Sequence, residues 1–448
     1  MGKAADELLA YQNRDGAYDV AYADVADLQI VAMDELLQER VSQIALLAMR
    51  AKSAGITQIE RREDMVPLLF PHTAYKSYPE SVLIEKRWDK LTRWLGTVAA
   101  NPVKDIDLNG IEDVDQWIER LQDAGHYITC TSGTTGKSAM LVATKDDVDT
   151  CCEDAVKAVA WCTGIAPSAD RHVFRLAPII RSVKNVGIGA AVARAYGKPG
   201  APEFDFPVPP ITIGSIARMV ALRKAITDGT AMPSELAEYE ETSAMRQKAV
   251  DESIGQCADA LIAARGEPLI IVGLWATLYQ IAEEVRSRGF SGKDFQPGNT
   301  SYIAGGLKGA KVPANYKEVI YSTFNMDPAR NFQMYGMQEI NTAMPRCPAG
   351  RYHIPPWLVC LPLDKSGDAL APMAEGDIEG RAAFFDISLE GRWGGVISGD
   401  RIHVDFGPCA CGSPAPSIAD DVIRYADLEG DDKISCSGTV DAYVKGLS

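Results

Sequence analysis

The chain is 448 residues long, which exceeds the usual size of one hydrophobic core and predicts two or three subdomains. Its 46% hydrophobic and 24% charged residues are typical of a water-soluble protein, and no stretch approaches the apolar length of a membrane span. The net charge of -16 excludes a nonspecific nucleic-acid or anionic-membrane binder, and ten cysteines without an export signal predict a cytoplasmic protein with reduced or metal-bound thiols.

Residues 1–120 form a first predicted domain, which is mostly helical. Apolar residues recur at helical spacing from Asp34 to Ala54, the clearest helical pattern of this region. The stretch from Pro67 to Pro79 contains aromatic residues between prolines and predicts a packed loop. We interpret Trp94 and Trp117 as core residues rather than as a cofactor-binding cluster.

The stretch 127–138 reads YITCTSGTTGKS, and its composition predicts phosphate binding. Both flanks read as short strands, so the residues between them predict a tight loop. Glycine lets backbone amides approach an anion, hydroxyls add donors, and a lysine adds a charge suited to phosphate. The candidate ligands are Ser132, Gly133, Thr134, Thr135, Gly136 and Lys137. A P-loop would need a longer spacing between its glycines and a helix after the lysine, so the P-loop NTPase fold is excluded.

Residues 121–346 predict an α/β nucleotide-binding core, because strand-like and helix-like segments alternate there. The apolar run from Pro268 to Val272 predicts a buried strand, and the next residues predict a helix through Ser287. Further on, a strand ends in the turn Gly305–Gly306, where the backbone can approach a flat ligand. From residue 347 to 448, short strands between Gly and Pro turns predict a β-rich third domain.

Three cysteines and one histidine in the β-rich region form two closely spaced pairs. The pairs are Cys347-x5-His353 and Cys409-x-Cys411. Three thiolates and an imidazole suit tetrahedral zinc, and a site filled by four protein ligands is structural rather than catalytic. Buried free cysteines are the alternative interpretation.

The loop 132–137 resembles the Ser-Gly-Thr-Thr-Gly-Lys signature of the acyl-adenylate-forming superfamily, which includes acyl-CoA synthetases, aryl-CoA ligases and nonribosomal adenylation domains. Two more of its motifs follow in order. Residues 335–339 resemble the superfamily's Tyr-Gly-x-Thr-Glu motif, and residues 398–400 resemble its Thr-Gly-Asp motif. The resemblance implies the large α/β domain of these enzymes, with layered α/β subdomains and a small β-rich subdomain.

By this resemblance, the loop holds the β- and γ-phosphates of ATP, and Glu339 holds the Mg²⁺ that bridges phosphate oxygens. Thr134, Lys137 and Glu339 are then the catalytic side chains. They neutralise the charge that builds up when a carboxylate oxygen attacks the α-phosphate.

The same resemblance implies that Tyr335 packs on the adenine, with the backbone of Gly305 and Gly306 on the other side. Asp400 accepts hydrogen bonds from the ribose hydroxyls. Gly336 and Gln338 complete the central motif, and Gln338 stands where the family has Thr or Ser.

The tract from Arg351 to Trp357, the Cys409–Gly412 tract and the Gly305 turn are together similar to the acyl-protein synthetases of bacterial bioluminescence. Those enzymes make acyl-AMP from a fatty acid and pass the acyl group to a cysteine thiol before a partner reductase takes it. The Cys/His set is similar to that of phenylacetate-CoA-ligase relatives with structural zinc. The resemblance implies a carboxylic acid substrate and a carrier protein or acyl reductase partner.

The sequence departs from the family near its end. The hinge pattern appears as Gly438-Thr-Val-Asp441, without the usual arginine, and the sequence stops at Ser448 without the C-terminal lid domain and its lysine. We therefore expect a lid-less enzyme that forms acyl-AMP and passes the acyl group to a thiol or amine. The alternatives are an aryl or phenylacetate-type CoA ligase, which would bind CoA, and a non-catalytic nucleotide-binding partner of a reductase or carrier protein. A homodimer stays open, and we expect no nucleic-acid or membrane partner.

Overall fold

The chain divides into two units in the computed structural model, which describes residues 2–131, 137–177, 181–201, 203–303, 305–307 and 310–429. The first unit is Met1–Asp154 with Gly336–Ser448, and the second unit is Ala155–Tyr335. The predicted boundaries near residues 120 and 346 differ from this division. The reason is that the N-terminal region shares a sheet with the β-rich region, since Phe70 pairs in parallel with Val396.

The described helices are α1 Lys3–Ala10, α2 Tyr22–Arg40, α3 Ala45–Ala54, α4 Arg62–Met65, α5 Glu80–Ile84, α6 Trp88–Leu95, α7 Val114–Asp123, α8 Lys145–Thr163, α9 Val183–Tyr196, α10 Ile213–Thr227, α11 Pro233–Ala263, α12 Trp275–Ser287, α13 Tyr316–Phe324 and α14 Tyr425–Glu429. In the part of the chain that the structure describes, none of them is both long and apolar enough to cross a bilayer.

The described strands are β1 Phe70–Pro71, β2 Tyr127–Cys130, β3 Met140–Ala143, β4 His172–Leu176, β5 Phe204–Asp205, β6 Leu269–Gly273, β7 Thr300–Ile303, β8 Phe332–Tyr335, β9 Met344–Pro345, β10 Arg351–His353, β11 Leu358–Cys360, β12 Ile378–Asp386, β13 Gly395–Asp405, β14 Ser417–Ala419 and β15 Ile423–Arg424.

A mainly antiparallel sheet with the order β10-β14-β13-β12-β11 forms the core of the first unit. The short strands β1 and β15 also pair with β13. Every residue of β12 except Glu379 is buried, as expected for a strand covered on both faces. At the end of this strand, Trp393 packs edge-on against Phe385 with ring centroids 4.8 Å apart. The short strands predicted after residue 347 are therefore present, and β12 and β13 are the long ones.

The hairpin predicted around the glycine-rich loop is present in the first unit. Strands β2 and β3 pair antiparallel, with Cys130 opposite Met140. In the sequence, Thr144 stands three residues before Asp147, which is the spacing of a capping box, and the helix after the hairpin begins with this reciprocal cap. The Thr144 amide donates to Asp147 Oδ2 at 2.8 Å, and the Asp147 amide donates to Thr144 Oγ1 at 3.0 Å.

The continuous helix predicted from Asp34 to Ala54 is wrong, because the chain turns between α2 and α3. Ile44 adopts an extended conformation and is fully buried. Two residues later, the Leu46 amide donates to the Thr97 carbonyl at 3.1 Å. A distant partner therefore satisfies a backbone group that a continuous helix would have bonded internally.

The second unit contains parallel strands in the order β5-β4-β6-β7-β8. Helices lie between successive strands along the chain, as parallel connections require. The predicted strand and helix after residue 268 are confirmed as β6 and α12. Leu278, Ile281 and Val285 recur at helical spacing along α12 and are fully buried against the sheet.

Candidate functional site

Residues predicted to surround adenine lie at one edge of the parallel sheet in the second unit. Gly305 follows β7, and Tyr335 ends the neighbouring strand β8. Ile303 lies opposite Gln333, and Gly305 and Tyr335 each come two residues after this pair, toward the carboxyl ends of the strands, where α/β sheets bind ligands. Gly305 has φ 135°, which L side chains rarely adopt, and a Cβ at Gly306 would meet nothing within 4 Å. This edge therefore has an open backbone surface beside an aromatic ring.

Of the loop that is predicted to bind phosphate, the structure describes only the end, from Lys137 onward. Its other predicted ligands lie outside the described residues: Ser132, Gly133, Thr134, Thr135 and Gly136. Lys137 Nζ donates to the Tyr78 carbonyl at 2.5 Å and lies 5.0 Å from the centroid of the Tyr78 ring. The Tyr78 hydroxyl donates to the Ser138 carbonyl at 2.8 Å. Tyr78 therefore holds the end of the loop through two adjacent residues.

The central motif resumes in the first unit at Gly336. Thr129 Oγ1, on the strand that enters the loop, donates to Gln338 Oε1 at 2.6 Å. The residue that departs from the family pattern is therefore bonded to the loop hairpin. Glu339 is 8% exposed, so little of its side chain reaches solvent.

A fully buried arginine joins this motif to the loop hairpin. Arg392 Nη2 donates to the carbonyl oxygens of Gln338 at 3.2 Å and Glu339 at 2.8 Å. Its Nη1 donates to the carbonyl of Val142 on β3 at 2.8 Å. One guanidinium thus fixes the backbone beside Glu339 relative to the strand that leaves the loop.

A tyrosine and a lysine in the short helical stretch His72–Lys76 lie near Glu339. Burial raises the pKa of Tyr75 to about 12, while Arg392 opposes this shift and Glu339 adds to it. Burial lowers the pKa of Lys76, an effect that the Glu339 carboxylate opposes and Arg424 reinforces. Lys76 therefore brings a cationic group to the neighbourhood of Glu339.

Buried carboxylates hold the chain that follows Glu339. Asp386 Oδ2 accepts from the amides of Asn341 at 2.8 Å and Thr342 at 3.0 Å. Asp154 Oδ2 accepts from the amide of Ala343 at 2.7 Å. Asp147 Oδ1 accepts from Asn341 Nδ2 at 2.9 Å. Three consecutive residues are thus anchored by buried carboxyl groups.

Asp147 accepts further hydrogen bonds from the backbone. It is fully buried and also accepts from the amides of Glu390 and Gly391, both at 2.8 Å. Burial alone would raise the pKa of Asp147, but the Arg392 charge and the donors outweigh it and the net pKa is lowered. This carboxylate therefore stabilises the fold only while it is ionised.

We expect Asp147→Asn to lower the free energy of unfolding by about 3 kcal/mol at pH 7, because a buried charge network loses one partner. A lowered folded-state pKa contributes stability above the unfolded value of about 3.9, and that stability is lost as pH falls through the folded pKa. Urea unfolding of both proteins from pH 7 downward should show the difference narrowing below about pH 4. A difference that stays constant with pH would contradict this role.

Asp400, predicted to bind ribose, lies within β13 rather than in a turn. Ser398 Oγ donates to Asp400 Oδ2 at 2.7 Å, and the Asp400 amide donates back to Ser398 Oγ at 3.2 Å. Arg424 Nε, on the paired strand β15, lies 3.8 Å from Asp400 Oδ1, and the carboxylate side chain is 16% exposed. The result is an oriented acceptor that solvent still reaches.

The four predicted zinc ligands converge in the first unit. The ligand atoms of Cys347, His353, Cys409 and Cys411 all lie within 4.8 Å of one another. The Cys347 and Cys409 sulfurs are 3.8 Å apart, and Cys411 Sγ is 3.4 Å from His353 Nε2. A tetrahedron with Zn–S bonds of about 2.3 Å has S···S edges of about 3.8 Å, and these two separations are close to such an edge. Burial lowers the pKa of His353 to about 4, which keeps the imidazole in its neutral, coordinating form at pH 7.

The sequence did not predict that several other residues lie around Glu339. The run YKSY at 75–78 was a usable signal, because it places a lysine between two tyrosines. In the structure both tyrosines are buried. Arg392 stands between glycines in an apolar stretch, which also marks a special position. Nothing in the sequence distinguishes Asp386 from an ordinary strand-end residue.

Solved structures of 2-hydroxyisobutyryl-CoA ligase share this fold. The postadenylation state with R3-HIB-AMP has a TM-score of 0.54 at 13% identity, covering 92% of this chain and 70% of that chain. An open conformation with 2-HIB-AMP and CoA gives 0.55 at 13%, with coverages of 91% and 76%. The thioesterification state with the same ligands gives 0.53 at 14%, with coverages of 91% and 69%. No protein-family model matches the sequence, and no curated protein matches it.

These similarities confirm the predicted fold class, a large domain of layered α/β subdomains, which the chain shares with these structures. At such low sequence identities the similarities establish the fold only, so an activity has to be argued from the residues of the candidate site. The acyl-protein synthetase and phenylacetate-CoA-ligase branches stay predictions.

Proposed function

We propose that the protein activates a carboxylic acid as acyl-AMP. A carboxylate oxygen attacks the α-phosphorus of ATP, the bond from that phosphorus to the bridging oxygen breaks, and pyrophosphate leaves with the electron pair. A thiol then attacks the acyl carbon, the bond to the AMP oxygen breaks, and the thiol proton is lost to solvent. Both steps depend mainly on positioning and charge neutralisation, so no residue needs to act as a nucleophile.

The observation that carries this proposal is the convergence of two predicted motifs in the first unit. Thr129, on the strand that enters the loop, donates to Gln338 Oε1 beside Glu339 at 2.6 Å. Lys137, which closes the loop, donates to the Tyr78 carbonyl, and Glu339 lies near Tyr75 and Lys76 of the same segment. The motifs are about 200 residues apart in sequence, and local turn formation gives no reason for them to meet.

We assign the recognition of adenosine to two sets of predicted residues. We assign adenine to Tyr335 with the open backbone at Gly305 and Gly306, and the ribose hydroxyls to Asp400. An aromatic face beside exposed backbone suits a flat base, and a fixed carboxylate suits a diol.

Two metals accompany the proposal. A single carboxylate together with phosphate oxygens is a ligand set that Mg²⁺ accepts, so Glu339 would hold it, and the ion would neutralise charge on those oxygens. Cys347, His353, Cys409 and Cys411 would hold a structural Zn²⁺, since they leave no position open for substrate.

For the acyl acceptor we propose a thiol, and CoA is the first to test because two comparison structures of a CoA ligase contain it. A carrier-protein thiol, as in acyl-protein synthetases with a reductase partner, is the second candidate. Formation of acyl-CoA from acid, ATP and CoA, followed by chromatography, separates them. If the acceptor is an amine, neither CoA nor a carrier-protein thiol would yield an acylated product.

We expect exchange of labelled pyrophosphate into ATP that depends on one class of carboxylic acid, when fatty, aryl, hydroxy and amino acids are compared. Exchange reports reversal of the adenylation step and needs no acceptor. Omission of the acid is the background control. ATP binding without exchange for any acid would overturn the proposal and favour a non-catalytic nucleotide-binding role.

A further inference from the structure

The connection between β12 and β13 supports the chain on both sides of Glu339. Arg392, in this connection, donates to the carbonyls of Gln338 and Glu339. Asp386, at its start, accepts from the amides of Asn341 and Thr342. One connection thus supplies both side chains, one bonded to the carbonyls of residues 338 and 339 and the other to the amides of residues 341 and 342.

Each of these two side chains is itself held rigidly. Asp386 Oδ1 accepts from the Ser388 amide at 2.9 Å and the Ser388 hydroxyl at 2.6 Å, so both carboxylate oxygens are occupied. Arg392 is fully buried beside the ionised Asp147, which balances its charge. A planar guanidinium with several fixed acceptors loses little freedom for each bond formed.

The third bond of Arg392 reaches outside this segment. Its Nη1 donates to the Val142 carbonyl on β3, the strand that leaves the predicted phosphate loop. The guanidinium therefore sets the spacing between the loop hairpin and the backbone of Glu339. A metal ligand and phosphate donors must keep such a spacing within about 0.5 Å to act on one group.

We propose that Arg392 and Asp386 are positioning residues that hold the Glu339 carboxylate where a nucleotide-bound divalent cation requires it. The inference rests on the proposed function, because it takes Glu339 as the ligand of that cation. It assigns two residues that touch neither nucleotide nor metal. Their loss should weaken metal binding in the nucleotide complex and leave binding of metal-free nucleotide unchanged.

The test uses Mn²⁺ as the probe, because its free concentration is read directly by electron paramagnetic resonance. The Kd for Mn²⁺ is measured with saturating α,β-methylene-ATP, and the Kd for the nucleotide is measured separately in a metal chelator. Arg392→Lys keeps the charge but loses the fork of donors, and Asp386→Asn keeps the shape but loses the charge. Arg40→Lys is the matched control, since Arg40 is also buried but donates to Gln43.

We expect Arg392→Lys and Asp386→Asn to weaken Mn²⁺ binding by about 10- to 100-fold, as loss of a supporting group around a metal ligand does. The nucleotide Kd and the Arg40→Lys protein should stay at the wild-type values. Rates of exchange in the two variants should recover in part at high metal concentration. If Arg392→Lys does not fold, Asp386→Asn alone carries the test.

Wild-type Mn²⁺ affinity in folded variants would overturn the positioning role and leave the proposed function standing. Equal weakening of metal-free nucleotide binding would also overturn it, because that is the mark of general structural damage. Absence of Mn²⁺ binding in the wild type would instead remove the proposed function, and the positioning role with it.

Discussion

Glu339→Ala is expected to lower carboxylate-dependent pyrophosphate exchange by about 100- to 1,000-fold, the effect of losing several kcal/mol of charge stabilisation at the transferring phosphate. The Glu339 side chain is nearly buried, and Arg392 donates to its backbone carbonyl, so the position of this carboxylate is closely defined. Removal of Glu339 also leaves the positive charge of Lys76 without its neighbour. The rate constant should fall more than the affinity for metal-free ATP.

The matched control is Glu375→Gln, because Glu375 is an exposed glutamate of the same unit. It should exchange at the wild-type rate. Glu339→Gln separates charge from shape, since the amide retains the size but binds Mg²⁺ poorly. Exchange by Glu339→Ala at the wild-type rate, with the same dependence on Mg²⁺, would mean that Glu339 does not hold the metal.

Local patterns predicted the elements that local physics controls. The strands around the glycine loop, the reciprocal Thr144–Asp147 cap and the helix α12 follow from residue spacing and capping chemistry over a few positions. The turn at Gly305 also follows, because its φ of 135° needs glycine whatever surrounds it. In each case the decisive neighbours are close in sequence.

Contacts between distant residues could not be predicted in this way. The bond from Arg392 to Val142 joins residues 250 positions apart, and the bond from Tyr78 to Ser138 spans 60. The pairing of Phe70 with Val396 likewise places the N-terminal region and the β-rich region in one unit. The predicted boundaries near residues 120 and 346 followed changes in the local helix and strand pattern, which carries no information about such pairings.

The Cys/His cluster lies between these cases, because each pair is local but their meeting is not. His353 ends β10, Cys347 lies just before that strand, and the Cys409–Cys411 turn lies a few residues before β14. Strands β10 and β14 pair antiparallel, with His353 opposite Ser417. The pairing of these strands brings the two halves together. Sequence spacing could suggest the ligands, and the sheet register explains why all four reach one point.

Cys409→Ser is expected to abolish zinc binding and to lower the Tm by roughly 10 °C, because zinc that binds only the folded chain adds its binding free energy to stability. The wild type, purified without added metal or chelator, should contain one zinc per chain by inductively coupled plasma mass spectrometry. A strong zinc chelator should lower the wild-type Tm and leave that of Cys409→Ser unchanged.

Cys360→Ser is the matched control, since Cys360 is a buried thiol of the same sheet that stands outside the cluster. It should keep its zinc and respond to the chelator as the wild type does. A metal-free wild type that is indifferent to chelator would mean that these four side chains form a packed thiol cluster instead.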